Sequence, residues 1–193
     1  MDLPVAATRE RLIEAAAEVF AEEGYDRAGV QAIARRAGLT NGAIYANFRD
    51  KSELLAEAIE VHLSRLFGTM DHARRAGASP GQVVELIVRK LALDTPARDR
   101  RLLSEALVAA RRDPEVGARV LEQLSRVETH VASVVEQARA DGDLAEDVDP
   151  AALARFGTAL SLGYHLIHSA GAPEPDRAGW VSLMARVVSS LRS

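Results

Sequence analysis

The sequence predicts an all-α fold of about nine helices. Three observations lead there. Apolar residues recur at three- and four-residue intervals along nearly the whole chain, and no stretch alternates apolar and polar long enough for a strand. Four capping residues each stand directly before a proline, at Ser79, Thr95, Asp113 and Asp149, which is how helices commonly open. The 193 residues are 48% hydrophobic, mostly Ala, Leu and Val, with only 4% aromatic, a composition suited to helical packing rather than an aromatic-rich β fold. That length fits one small and one medium domain.

In chain order, Leu12, Ile13, Ala16, Val19 and Phe20 share one face of a first helix, with Thr8 expected at its start and Gly24 at its end. Val30, Ile33, Ala34 and Ala37 make a short second helix, stopped at Gly38. Thr40 opens a third, running to about Asn47. Asp50 opens a fourth with Glu53 in a capping box, running to about Arg75. Further helices start near 80, 96, 114 and 150, and a last one starts near Asp176. The helix from 114 carries Val120, Leu124, Val127, Val131, Val134 and Ala138 on one stripe. The last two carry Leu153, Phe156, Leu160, Tyr164 and Ile167, then Trp180, Leu183, Met184, Val187, Val188 and Leu191. Short helices give way to long ones near Asp50. The domains are therefore expected at 1–50 and 51–193, a three-helix N-terminal unit followed by a larger helical one.

Composition excludes several functions. No cysteine means no disulfide, thiolate catalysis or cysteine-ligated zinc, and fits a cytoplasmic location. The N-terminus MDLPVAATRE does not read as a signal peptide. Residues 156–173 lack Asp, Glu, Lys and Arg, but His165, His168, Thr158, Ser161 and Ser169 make them too polar for a membrane span, so a buried interface helix is expected. Asp141, Asp143, Asp147 and Asp149 have a calcium-loop look, yet Ala145 and Ala152 stand where ligands would be needed, leaving a solvated acidic loop. No nucleophilic triad and no glycine-rich phosphate loop is present. An enzyme is therefore not expected, nor any catalytic residue, metal or cofactor. The net charge of −4 does not advertise a nucleic-acid binder either.

Local pattern is more informative. In VQAIARRAGLTNGAIYANFR, residues 30–49, Ala34 is small where a second helix would cross closely. Gly38 tolerates a left-handed turn, and Ile44 is a branched residue that pins the second helix to the first. Those spacings are the ones a helix-turn-helix requires, with Ile33, Ala37, Leu39 and Phe48 completing a small core. The alternative is an ordinary helical hairpin with a glycine turn.

Residues 8–56 resemble the N-terminal domain of the TetR family of transcriptional regulators. Gly24, Tyr25, Val30, Ile33, Ala34, Ala37, Gly38, Gly42, Tyr45, Phe48, Lys51 and Leu54 sit where that family places them. GDLAEDVDPAALA resembles the family's entry to its dimerisation helices. Two positions depart from the pattern. Ala28 and Gly29 replace the hydroxyl residues that often cap the second helix and touch phosphate. Ala46 replaces a larger base-reaching residue.

The resemblance implies a repressor released from a palindromic operator by a small molecule. The Thr40 hydroxyl and the amides opening the third helix would meet phosphate. Gly42 and Ala43 would allow close approach to the groove, and Ala43 or Ala46 could touch a thymine methyl. Tyr45 and Lys51 would reach phosphate, and Asn41 and Asn47 base or backbone. Arg35, Arg36 and Arg49 are further phosphate candidates, Arg35 and Arg36 fitting a solvated face equally well. Core packing is the other reading for Tyr45.

In the larger domain, the helices from 150 and 176 are nearly free of charge on one face and are expected to form a four-helix bundle with a second copy. Phe156, Leu160, Gly163, Ile167, Trp180, Met184, Val187 and Val188 would form that interface. The family further implies a ligand cavity, for which Leu63, Phe67, Leu91, Leu103, Leu107, Val127, His130, Phe156 and Tyr164 are candidates, although plain core is the commoner role for each. A surface position is the bland reading for His130. The partners expected are double-stranded DNA, an effector and a second copy, with no membrane. The alternatives are a helical protein-interaction scaffold or a small-molecule enzyme.

Overall fold

Helix starts and stops follow from side chains that satisfy the otherwise unpaired amides and carbonyls of each terminus. The computed structural model describes the backbone of residues 5–93 and 95–192, and the side chains at positions 5, 66 and 88–93 lie outside the description. Among the described residues there are nine helices and no strand: α1 (Val5–Glu23), α2 (Val30–Ala37), α3 (Asn41–Asn47), α4 (Lys51–Arg75), α5 (Pro80–Leu93), α6 (Ala97–Ala110), α7 (Pro114–Ala140), α8 (Pro150–Ser169) and α9 (Arg177–Ser189). None is long and apolar enough to cross a membrane.

Three of the four caps expected before prolines form, and Asp176, expected only near a helix start, caps as well. Ser79 Oγ accepts from the Gln82 amide at 3.3 Å while Gln82 Oε1 accepts from the Ser79 amide at 2.8 Å, a reciprocal capping box. Asp113 accepts from the amides of Glu115 and Val116. Asp149 accepts from Ala152 at 2.6 Å and Asp176 from Gly179 at 2.6 Å. Three expectations need correcting. The N-cap position of α6 is Pro96 rather than Thr95, so the helix opens one residue later than expected. Thr8 lies inside α1, since the helix formers Ala6 and Ala7 carry the helix further back. The capping box at Asp50 closes one residue out of step: Asp50 accepts from the Glu53 amide at 2.7 Å, but Glu53 reaches the Arg49 amide at 2.7 Å.

Two compact units arise from these helices. One comprises residues 1–62 and 96–123, the other 63–95 and 124–193. In the first, α1 packs against α2, α3 and α6, and α2 against α3. Its core holds the fully buried Leu12, Phe20, Ile33, Ile44, Leu54, Ile59 and Leu102. In the second, α5 packs against α8 and α9, with Met70, Val83, Val135, Ala138 and Leu144 buried. Each of the long helices α4 and α7 contributes residues to both units.

Candidate nucleic-acid interface

The α2–turn–α3 segment forms as the residue spacing requires. Gly38 adopts φ +65°, and the amides of Gly38 and Leu39 return to the carbonyls of Arg35 and Ala34. A side chain at Gly38 would suffer both the left-handed backbone and a 3.0 Å approach to Arg11 Nη2. Ile33, Ala34, Ala37, Ile44 and Phe48 are all buried, so α3 is pinned by its apolar face. Thr40, Asn41, Gly42, Tyr45 and Ala46 are exposed, with Ala43 and Asn47 half-buried. Tyr45 is 64% exposed, so its ring is not core. Thr40 stands exposed at the N-cap in extended conformation, its carbonyl accepting from the Ala43 amide at 3.0 Å and its side chain making no cap bond.

The basic residues are less available than a charge count implies. Arg36 pairs with Glu18 at 2.9 Å and Glu22 at 2.7 Å, and hydrogen bonding to these carboxylates raises its pKa further. Arg49 pairs with Glu53 at 3.2 Å. Asn47 donates to the Ala43 carbonyl at 2.8 Å and is committed to its own helix. Lys51 donates to the carbonyls of Tyr25 at 2.7 Å and Ala28 at 3.3 Å, with its ammonium 4.3 Å over the Tyr25 ring. Burial lowers its pKa, opposed by the charge of Asp26. The α1–α2 turn exposes carbonyls that no helix satisfies, and they claim this cation before any phosphate can. Only Arg35 among these arginines is exposed without an ion pair to the described residues. The exposed pairs of Arg36 and Arg49 are weak and exchange readily for a phosphate.

Sequence reasoning missed Arg9 and Arg11 altogether. Arg9 Nη1 donates to the Asn47 carbonyl at 2.9 Å, and Nη2 meets Glu57 at 2.6 Å. Arg11 Nη2 donates to the Ala37 carbonyl at 2.6 Å. Their partners lie 26 to 48 residues away in sequence, beyond the reach of any spacing rule. Also missed was Arg119 of α7, which reaches Asp50 at 3.4 Å and Glu115 at 2.9 Å. Burial works to raise the Asp50 pKa, but hydrogen bonds from Ser52 and the Glu53 amide and the Arg119 charge hold it below the usual value. The α6 helix braces α1 through Arg98 with Glu14, and the following turn through Arg112 with Asp26 at 2.7 Å. It meets α4 through His62 and Asp99 at 2.9 Å.

In the second unit, the expected interface residues divide by helical phase. Phe156 and Ile167 are 52% and 60% exposed, and Leu160, Gly163, Trp180 and Val187 are intermediate. Met184 and Val188 are buried within the protomer, while Val181 and Leu183 hold the exposed apolar positions of α9. Within one protomer, then, Trp180 and Val187 keep some exposed surface and Met184 and Val188 keep little.

The ligand candidates do not come together as one set. Phe67 stacks against His130 with ring centroids 4.5 Å apart, and His130 Nε2 is buried without a hydrogen-bond partner among the described residues, which corrects the surface reading. Leu63 and Val127 are buried, and Tyr164 packs against His168 and Trp180. Leu103 and Leu107 belong to the first unit. The side chain of Leu91 lies outside the described residues. A separate apolar cleft opens between α5, α7, α8 and α9, walled by residues such as Val84, Ile87, Val131, Val135 and Leu160. Among the described residues, Phe156 is the one candidate that lines it, and Ser161 is the one polar side chain.

Known proteins agree with this arrangement. Residues 12–58 match the family described as bacterial regulatory proteins, tetR family, and residues 102–177 match the tetracyclin repressor-like C-terminal domain. The chain is 30% identical over 139 residues to the HTH-type transcriptional repressor KstR of Mycobacterium tuberculosis, covering 72% of this chain and 61% of that protein. The matched stretch is thus less than two thirds of that relative's length. It is 32% identical over 165 residues to the probable HTH-type transcriptional regulator ArpR of Pseudomonas putida, covering 77% of this chain and 75% of that one. A crystal structure of a TetR-family regulator from Rhodococcus sp. shares the fold at TM-score 0.86 and 20% identity, covering 97% of this chain and all of that one, 100%. With both family models matched and a regulator 32% identical over 77% of the chain, the chain belongs to the tetR family of bacterial regulatory proteins.

Proposed function

We propose that the protein is a sequence-specific, dimeric DNA-binding regulator that represses from a palindromic operator and is released by a small, mainly apolar effector. The carrying observation is the outer face of α3. There Tyr45 is 64% exposed beside the small Gly42 and Ala46, and the exposed Thr40 hydroxyl makes no cap bond to the helix. Small residues let the helix backbone sink into a major groove while the uncapped N-terminus meets phosphate. Division of labour then falls at the original boundary, with residues 1–50 reading DNA and 51–193 sensing and dimerising.

Phe156 and Ile167, about three turns apart and so on the same side of α8, are both exposed and support pairing with a second copy. Two readers would then sit about 34 Å apart, one helical turn of DNA. The buried, unpaired His130 Nε2 beside Phe67 supports an effector that is largely hydrocarbon with one polar group. Such an effector acts by binding the released conformation more tightly than the DNA-bound one.

A footprint over the region around the protein's own gene tests the reading. Protection of a palindrome is expected, with affinity on the order of nanomolar that weakens steeply with salt. Absence of any protected site, or protection unchanged by Tyr45→Ala, sinks it. A thermal-shift screen of apolar compounds tests the effector. A hit that stabilises wild type and His130→Leu equally removes His130 from the site.

A further inference from the structure

We infer that Arg9 is a positioning residue for DNA recognition, setting the pose of α3 from inside the protein rather than by touching phosphate. The inference rests on the reading of α3 as the recognition helix.

Helix α3 has only seven residues and no basic residue in its last turn. A helix that short has no stability of its own, and its last carbonyls need donors. Helix α2 is closed by the amides of Gly38 and Leu39 and carries Arg35 and Arg36 in its last turn. At α3 the C-cap, Phe48, is extended and returns a single backbone bond, to Ile44.

Arg9 supplies what α3 lacks. Its Nη1 donates to the carbonyl of Asn47, the last residue of α3, at 2.9 Å. Its guanidinium lies 4.4 Å over the ring of Phe48, which is only 2% exposed. Its Nη2 meets Glu57 of α4 at 2.6 Å. One planar group thus joins α1, the end of α3 and α4, and its charge sits at the negative end of the α3 dipole. Glu57 neutralises that charge locally, so little is left to attract phosphate. Any shift of α4 against α3 must strain or break this junction.

Lysine keeps the charge but cannot make the fork and the stacked contact together. Arg9→Lys and Arg9→Gln are therefore compared with wild type. Binding is measured by fluorescence anisotropy to a duplex selected by wild type from a random library, and to a scrambled duplex, across a salt series. Active fraction is taken from stoichiometric titration. Both variants are expected to lose about tenfold on the selected duplex. Binding to the scrambled duplex and the salt slope should stay unchanged.

Full rescue by lysine, or a slope reduced by about one charge in Arg9→Gln, overturns the inference in favour of a direct phosphate contact. Equal losses on both duplexes, tracking a reduced active fraction, overturn it in favour of a purely structural role. A wild-type protein that selects no duplex brings down the DNA-binding reading and this inference together. Wild-type selection with the variants behaving otherwise brings down this inference alone.

Discussion

At the scale of single residues, basic side chains near the reading helix have two competing uses, capping protein carbonyls and meeting phosphate. A carbonyl that is partly buried claims its donor, because leaving it unpaired costs more than an exposed contact returns. Lys51, Arg9 and Arg11 follow that rule, whereas Thr40 and Tyr45 remain turned to solvent. Tyr45→Phe removes only a hydroxyl, so operator affinity should fall by about fivefold without changing the salt slope. Lys51→Met should lower stability in urea unfolding by ~1–2 kcal/mol through the orphaned carbonyls of the α1–α2 turn. Unaltered unfolding with a shallower salt slope would return Lys51 to the phosphate backbone.

Elements are held by junctions between sequence-distant helices. Gly38→Ala tests the α2–α3 turn. The left-handed backbone and the 3.0 Å approach to Arg11 should cost about 1 kcal/mol and weaken operator binding, seen as a lowered Tm. The α4–α6 junction is pH-dependent. Burial pushes the Asp99 carboxyl up, but the hydrogen bond and charge of His62, with Arg98 alongside, more than offset this and hold it below its usual value. A carboxyl lowered in the folded state gives stability that is present above its unfolded pKa and lost as pH falls through the folded one. Urea midpoints measured down an acid series should therefore drop more steeply for wild type than for Asp99→Asn. Parallel curves would show that the junction is not the acid-sensitive element.

For the whole molecule, the exposed Phe156 and Ile167 on one side of α8 support the proposed pairing with a second copy. Ile167→Glu places a charge on that face without touching the buried Met184 or Val188. Sedimentation velocity should show a dimer for wild type and a folded monomer for the variant, with operator binding lost because two linked half-sites are needed. A variant that remains dimeric moves the interface elsewhere.

Much of this was legible in the chain because it is local. Helix periodicity, the caps at Ser79, Asp113, Asp149 and Asp176, and the Ala34, Gly38 and Ile44 spacing each involve residues within a few positions, and the folded protein keeps them. The start of α6 falls one residue later than expected, its N-cap lying on Pro96 rather than Thr95. Tertiary structure alone decided which cations are free. Arg36 is drawn to Glu18 and Glu22, Lys51 to the turn at Tyr25, and Arg9 to the end of α3, across separations that the sequence order does not encode. By itself the sequence determined the all-helical fold and the reading motif. The folded chain determined the availability of each charge, because that depends on which unsatisfied carbonyl or carboxylate lies closest in space.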